Sequence, residues 1–400
     1  MKRQRKLAAV TFSMGNTAGR IEMKTSLILL LTLISFSPVS SDGEVVSKNE
    51  HVIQLIAELS SPSDPGIQYV IVDKNSVVFE HSFGMADIKN KTPLSLAHTM
   101  AAFSMTKTLT AIAVLQLVQR GKIKLDSQAS QYVEHPYNSE ITIRHLLSHT
   151  SGIPNPIPLK WVHLANSHDS FSEVEALSQV LAANPKRDAL PGGKYGYSNI
   201  GYWLLGGIIE KISDREYSDY INENIFEPLG LTPSEIGFRI NNEDNHAKGY
   251  LKKYSFMNLI KSFVTDREVW AGYEGGWLHI RNVYANGPAF GGAIGSAKAF
   301  SRVLQDLIAE NSALLEKNAM RGLYSQQKTN SGENIEMTLG WHVGEISGVK
   351  YYYKEGGGAG YHSEMRVYPD LGLASVIMAN RTSFNTRKKL SNLDSNFINQ

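Results

Sequence analysis

The sequence predicts an α+β fold, and three observations carry that expectation. Two strand-like runs follow a short helical stretch near the amino end, at residues 68–73 and 76–80. Apolar residues then recur at mostly helical spacing from about residue 121 to 310. The last part of the chain changes character, with three β-rich runs at 349–355, 361–368 and 373–379. Strands at both ends with helices between predict an antiparallel sheet built from both chain ends and flanked by helices. A mostly helical subdomain, about residues 120–310, is inserted into it.

Each element has its own justification. Residues 51–59 space their apolar side chains as a short helix, and Asp73, Lys74, Asn75 and Ser76 form the turn between the first two strands. Residues 101–121 read as an amphipathic helix with Phe103, Leu109, Ile112, Ala113, Leu115, Leu117 and Val118 on its apolar face and Gly121 as its stop. Pro- and Gly-rich loops punctuate the middle at 152–158, 185–193 and 286–295. Residues 196–212 predict a helix carrying Leu204, Leu205, Ile208, Ile209 and Ile212. Near the end, glycine-rich residues 356–360 join the first pair of strands and residues 369–372 the second, making an antiparallel meander. Residues 386–400 predict a terminal helix.

Composition narrows the function classes. The chain has 400 residues and a formal net charge of +2, so no overall basic field argues for nucleic acid. It has no cysteine, which excludes a disulfide scaffold, a thiolate nucleophile and thiolate metal ligands. From Met23, one lysine, Lys24, precedes an apolar run at 27–36, and small residues follow at Val39, Ser40 and Ser41. That layout predicts a secretory signal peptide at 23–41, too short to span a bilayer. Residues 1–22 are basic and fit neither element; the expectation is a start at Met23, cleavage near Ser41, and a domain at 42–400 that is periplasmic or secreted. With no cysteine after the apolar run, no lipoprotein anchor is expected, nor any other stable membrane anchor.

Three motifs carry chemistry. Ser104 and Lys107, three apart in the first turn of a helix, share a face beside backbone N–H groups. A buried ammonium there can lose its proton or hold negative charge, which turns a poor nucleophile into a good one. Alone, the pair also fits a capping serine and a surface lysine. Tyr197 and Asn199 follow a Pro-Gly loop at a helix entry. A phenol beside a lysine can have a lowered pKa and serve as a base, and an amide can hold either the lysine or a substrate carbonyl. Their bland alternative is a helix cap with tyrosines packed on the core. Lys354, expected on an edge strand beside a cleft, supplies a fixed positive charge. Gly356 and Gly357 let substrate approach the backbone, and the N–H groups of Ser104 and Gly357 can form an oxyanion hole.

Those motifs, in that order, resemble the class C β-lactamase and D-alanyl-D-alanine peptidase superfamily of serine hydrolases, which includes penicillin-binding-protein-like chains. The likeness extends to IRHLLSHTSGIP (143–154), GYSNIGYWLLGGIIEKIS (196–213), NIFEPLGL (224–231) and FGGAIGSAKAFSRVL (290–304), and covers roughly residues 50–380. It implies a β-lactamase/transpeptidase-like fold and an acyl-enzyme on Ser104, with no metal and no cofactor. Lys107 and Tyr197 would manage the serine proton, with the choice of base open. Asn199 would orient the substrate, and Lys354 would add electrostatic stabilisation. Its partner would be a small-molecule or peptide substrate, cell-wall fragments included.

The third motif departs from the family, whose β-lactamases carry Lys-Thr-Gly there. Glu355 stands in the hydroxyl position, either neutralising Lys354 and repelling a substrate carboxylate, or pointing away because strand side chains alternate. Esterase or D-amino-acid peptidase activity is therefore expected ahead of β-lactam hydrolysis. The alternative is a catalytically weak protein that binds cell-wall fragments or peptides. Asn385, Arg387 and Lys388 fall where relatives hold a substrate carboxylate, but they equally suit a helix start. His145 and His149, four apart, are read as packing or capping residues rather than a metal pair.

Overall fold

The computed structural model describes residues 47–400 apart from 138, 158–159, 383 and 399–400; the leader and signal-peptide readings lie outside the described residues. The first helix, α1 (Lys48–Leu59), opens on a capping box in which Ser47 and Glu50 satisfy each other's backbone N–H groups. Two strands follow, β1 (Ile67–Asp73) and β2 (Val77–Phe83), and Asp73 accepts from the N–H groups of Asn75 and Ser76 to close the turn between them. At the other end of the chain lie β6 (His342–Ile346), β7 (Val349–Gly358), β8 (Tyr361–Tyr368) and β9 (Leu373–Ala379). The strand order β6-β7-β8-β9-β1-β2 joins both termini in one antiparallel sheet, with Ile67 opposite Ala379 and Lys354 opposite Met365.

Burial on both faces explains why β1 is almost wholly apolar. Ile67, Tyr69 and Ile71 face α1 and the terminal helix α6 (Thr386–Ile398), where Val52, Ile56, Leu390, Leu393 and Phe397 are buried. Val70 and Val72 face the opposite way into the large core, against α5 (Ala297–Ile308). A buried polar network ties α6 to the sheet. Asp394 accepts from the hydroxyls of Tyr69, Tyr368 and Ser375, and Arg366 donates to Glu364 and to the Arg387 carbonyl.

Three expectations need correction. The helix after Ser104, α2 (Thr106–Gln119), is not amphipathic, because residues Thr106 through Leu117 are all buried. It is buried along most of its length, and two of its threonines bond to the distant 289–293 segment: Thr110 Oγ1 donates to the Ala289 carbonyl at 2.6 Å and Thr106 Oγ1 accepts from the Ala293 N–H at 3.0 Å. The glycine-rich residues are not a loop, since β7 continues to Gly358 and turns only at Ala359 and Gly360. The inserted region is mostly helical as expected and also holds a small sheet, β3 (Gly249–Lys252), β4 (Trp270–Glu274) and β5 (Trp277–Ile280), in the order β3-β5-β4. Its last predicted stretch, α5, packs on the main sheet. Finally, β7 is not the edge strand, because β6 pairs with it as far as Tyr353. Past that point β7 runs beside the segment carrying Ser104.

Candidate active site

Ser104 lies in a single 3₁₀ turn, Phe103–Met105, that feeds α2. Phe103 holds a left-handed backbone at φ 45°, which costs an aromatic residue about 1–3 kcal/mol. Thr106 helps to fix it by donating from Oγ1 to the Phe103 carbonyl at 2.6 Å. This sharp entry presents the Ser104 side chain next to Lys107. The two heteroatoms are 3.1 Å apart, and the Tyr197 hydroxyl donates to Ser104 Oγ at 2.9 Å.

Lys107 is fully buried and has two further contacts, to Asn199 Oδ1 and to the Phe290 carbonyl, each at 2.7 Å. Burial pushes its pKa well below the usual lysine range, and the nearby charge of Lys354 pushes the same way. As an ammonium, Lys107 donates to three acceptors, Asn199 Oδ1, the Phe290 carbonyl and Ser104 Oγ; as the neutral amine it keeps the first two and turns a lone pair to the Ser104 hydroxyl. Asn199 begins α3 (Asn199–Ser213), whose N-cap is Ser198, accepting from the Gly201 N–H. Asn155 Oδ1 accepts from both the backbone N–H and the amide of Asn199, so the side-chain oxygen is left for the lysine. The Phe290 carbonyl comes close because α3 carries Gly206 where it crosses: an added Cβ there would sit 2.7 Å from Ala289 Cβ.

The Tyr197 ring is packed between basic groups. His149 lies 4.3 Å from it, centroid to centroid, and the Nζ atoms of Lys107 and Lys354 are 5.0 and 5.1 Å from its centroid. His149 Nδ1 accepts from the Ser198 N–H, so this histidine packs and positions, while His145 Nδ1 accepts the Thr142 N–H as a cap. The lowered phenol pKa expected from sequence is corrected here. Burial raises Tyr197 above its ordinary value, only partly offset by the Ser104 hydrogen bond. Tyr197 is therefore a proton donor near neutrality.

Lys354 is buried on the same side, and its Nζ has no hydrogen-bond partner among the described residues. Burial lowers its pKa to about 7, so it is not the fixed charge the sequence suggested. Glu355, next on the strand, faces the other way: it meets His362 Nε2 at 2.6 Å and Thr386 Oγ1 at 3.4 Å. Alternation along β7 thus keeps the carboxylate off Lys354. Gly356 has a steric task. A Cβ there would lie 2.0 Å from the Ala102 carbonyl oxygen, so its close neighbour is the nucleophile segment rather than substrate. Gly357 lines the pocket with Ser104. Arg387 is engaged with the Tyr353 hydroxyl, and Asn385 caps the Lys388 N–H, as a helix start requires.

Beside Ser104 opens a pocket of about 150 Å³ with mostly apolar walls, among them Phe103, Trp161, Leu251, Ile280 and Phe290. The structure brings Ser104, Lys107, Tyr197, Asn199, Lys354 and Gly357 of the sequence reading into one neighbourhood. Sequence reasoning missed Asn155, the Phe290 carbonyl and His342, which stacks at 6.4 Å on Tyr197. A backbone carbonyl leaves no signal in residue type, and Asn155 sits in a Pro-rich loop that reads as punctuation.

A serine hydroxyl held between a desolvated lysine and a tyrosine, where an α+β core meets a strand from its own sheet, defines a penicillin-binding-protein-like serine hydrolase. Comparison with known proteins agrees: residues 52–394 match the Beta-lactamase family, and the chain belongs to it. It is 26% identical over 345 residues to penicillin-binding protein 4* of Bacillus subtilis, covering 84% of this chain and 72% of that protein. It is 31% identical over 192 residues to protein flp of Staphylococcus aureus, but this spans 46% of the chain and only 38% of flp. Two solved structures share the fold. One is the octameric penicillin-binding protein homologue from Pyrococcus abyssi, with a TM-score of 0.70, 22% identity, and 88% and 77% of the two chains covered. The other is the D-amino acid amidase of Ochrobactrum anthropi SV3, with a TM-score of 0.71, 18% identity, and 88% and 99% covered.

Proposed function

We propose that this chain is an exported acyl-transfer hydrolase that cleaves amides, peptides or esters carrying a compact apolar group. The observation that carries the reading is Ser104 Oγ standing 3.1 Å from the depressed amine of Lys107 and 2.9 Å from the Tyr197 hydroxyl. Neutral Lys107 takes the hydroxyl proton as Ser104 Oγ bonds to the substrate carbonyl carbon. The N–H groups of Ser104 and Gly357 receive the oxyanion, and Lys354 in its charged form adds to their field. When the carbon–nitrogen or carbon–oxygen bond breaks, the leaving group departs with a proton passed through Tyr197. Water then attacks the acyl-serine, giving one proton back through the same groups and freeing the acid. Asn199 holds Lys107 rather than substrate.

The pocket supports an apolar acyl substituent, because an engineered dry cavity of about 150 Å³ accepts benzene. The Ochrobactrum amidase, whose structures carry phenylalanine and its amide, fits the same preference. Amide or ester cleavage ranks above β-lactam hydrolysis, since position 355 offers a carboxylate turned to His362 in place of a hydroxyl. Labelling with a fluorophosphonate and a fluorescent penicillin, native protein against Ser104→Ala, tests this. Serine-dependent phosphonate labelling with little penicillin labelling is the expected result. Absence of serine-dependent label from both probes would favour a binding protein, and rapid turnover of a chromogenic cephalosporin would reverse the ranking. Export rests on the residue 23–41 pattern, and amino-terminal sequencing of the exported protein checks it; a mature chain starting at Met1 would overturn it.

A further inference from the structure

The helix α4 (Phe256–Val264) is amphipathic in the reverse of the usual sense. Its inner arc is Met257, Asn258 and Lys261: Asn258 is 4% exposed, and Met257 and Lys261 line the pocket beside Ser104. Its outer arc carries three large apolar side chains beside the exposed Ser262. Phe256 is 72% exposed, Leu259 76% and Phe263 82%, and the preceding Tyr254 is 84% exposed. Positions 256, 259 and 263 fall on one face by the 3,4 spacing of a helix, so these rings and the leucine form one stripe. Scattered apolar residues on a surface need no cause, but a helix that turns two phenylalanines and a leucine to solvent while burying Asn258 does.

The charges around the stripe indicate what covers it. Residues 252–268 hold four cations, Lys252, Lys253, Lys261 and Arg267, against two anions, Asp266 and Glu268. Lys252, Lys253 and Arg267 are exposed, and Asp266 is offset by Lys160 at 3.6 Å. The Nζ of Lys253 lies 5.5 Å from the Tyr254 ring centre and 5.6 Å from that of Tyr273, so a cation and exposed aromatics share one surface. Phe, Leu and Tyr on a helix flanked by lysines are the composition of an interfacial segment, in which apolar groups enter the acyl boundary and lysines reach anionic headgroups.

We propose that the outer face of α4, with Tyr254, Lys252 and Lys253, docks this protein onto the surface of an anionic lipid bilayer. The helix that docks is also a wall of the pocket beside Ser104, so the site would work at that surface. The proposal does not depend on which bond the site cleaves.

Co-sedimentation of the full chain with vesicles of phosphatidylcholine and phosphatidylglycerol, 3:1, against pure phosphatidylcholine, tests it. A variant with Phe256→Ser, Leu259→Ser and Phe263→Ser is compared in the same full chain, so any contribution from residues 1–46 is common to both. The variant side chains point to solvent and line no pocket, so turnover of a soluble ester and the far-ultraviolet spectrum should match wild type. The expected result is binding that prefers the anionic vesicles, weakens with added salt, and falls about tenfold or more in the triple variant. No binding to anionic vesicles at low salt would overturn the proposal. So would equal binding by the variant. Sedimentation velocity supplies the remaining outcome: self-association abolished by the same substitutions, without vesicle binding, would make the face a contact between copies and overturn the lipid reading.

Discussion

At the scale of single residues, the site is governed by which lysine carries charge. Lys107 is held low by burial and by Lys354, and Lys354 is lowered to about 7 by burial. Two ammonium groups flanking one tyrosine ring cannot both ionise cheaply, so the charge on Lys354 favours the neutral amine at Lys107. The signs follow from the roles. As pH falls, the Lys107 amine gains a proton and the base is lost; as pH rises through about 7, Lys354 loses its proton and its field at the oxyanion fades. A bell-shaped kcat/KM is expected, with an alkaline limb beginning near pH 7. Lys354→Met should remove that limb and lower the maximum by about 10²–10³-fold. Pre-steady-state acylation rates across pH check this, and an unchanged alkaline limb in the variant would refute the assignment. Ser104 with Lys107 and Tyr197 with Asn199 were legible in the sequence as short motifs in family order, while the contacts that join the two motifs cross more than ninety residues. The facing of Glu355 was legible only as an alternative, since alternation says that neighbours diverge but not which one meets the cleft.

At the scale of elements, the terminal helix is held by charge as well as by packing. Arg366 and Asp394 are both fully buried, and Arg366 reaches Glu364 at 2.7 Å and Asp394 at 3.7 Å. Burial pushes the Asp394 carboxyl above its usual range while Arg366 and three hydroxyls pull it back. Removing the cation strands two carboxyl groups in a dry interface. Arg366→Ala is expected to cost about 3–5 kcal/mol in urea unfolding, and a loss near zero would show the network to be dispensable. Elements with strong local periodicity, β1, β8, β9 and the two terminal helices, were readable from sequence. The strand β6 was missed because its alternation is weak, and α2 was misread as amphipathic. Thr106 and Thr110 look polar in isolation but bond to the 289–293 segment, which only the folded chain brings near.

For the molecule as a whole, stability should vary with pH through a group that makes no contact with Ser104. Glu173 receives the Trp203 indole N–H at 2.7 Å, and burial, with Glu210 adding repulsion, raises its pKa to about 8 from 4.5. A carboxyl with a raised folded pKa favours the native state while protonated. Its contribution is fully present below about 4.5 and is lost as pH rises through about 8. Urea midpoints measured from pH 5 to 9 should therefore decline less in Glu173→Gln than in wild type, and parallel curves would sink the prediction. The sequence by itself determined the α+β class, the joining of both chain ends in one sheet, and the order of the motif residues, because periodicity and short-range spacing are local properties. Tertiary structure alone decided the protonation states: a depressed Lys107, a raised Tyr197 and a Lys354 near neutrality. Those depend on how much water and which charges surround each group, and that is set by segments tens to hundreds of residues away.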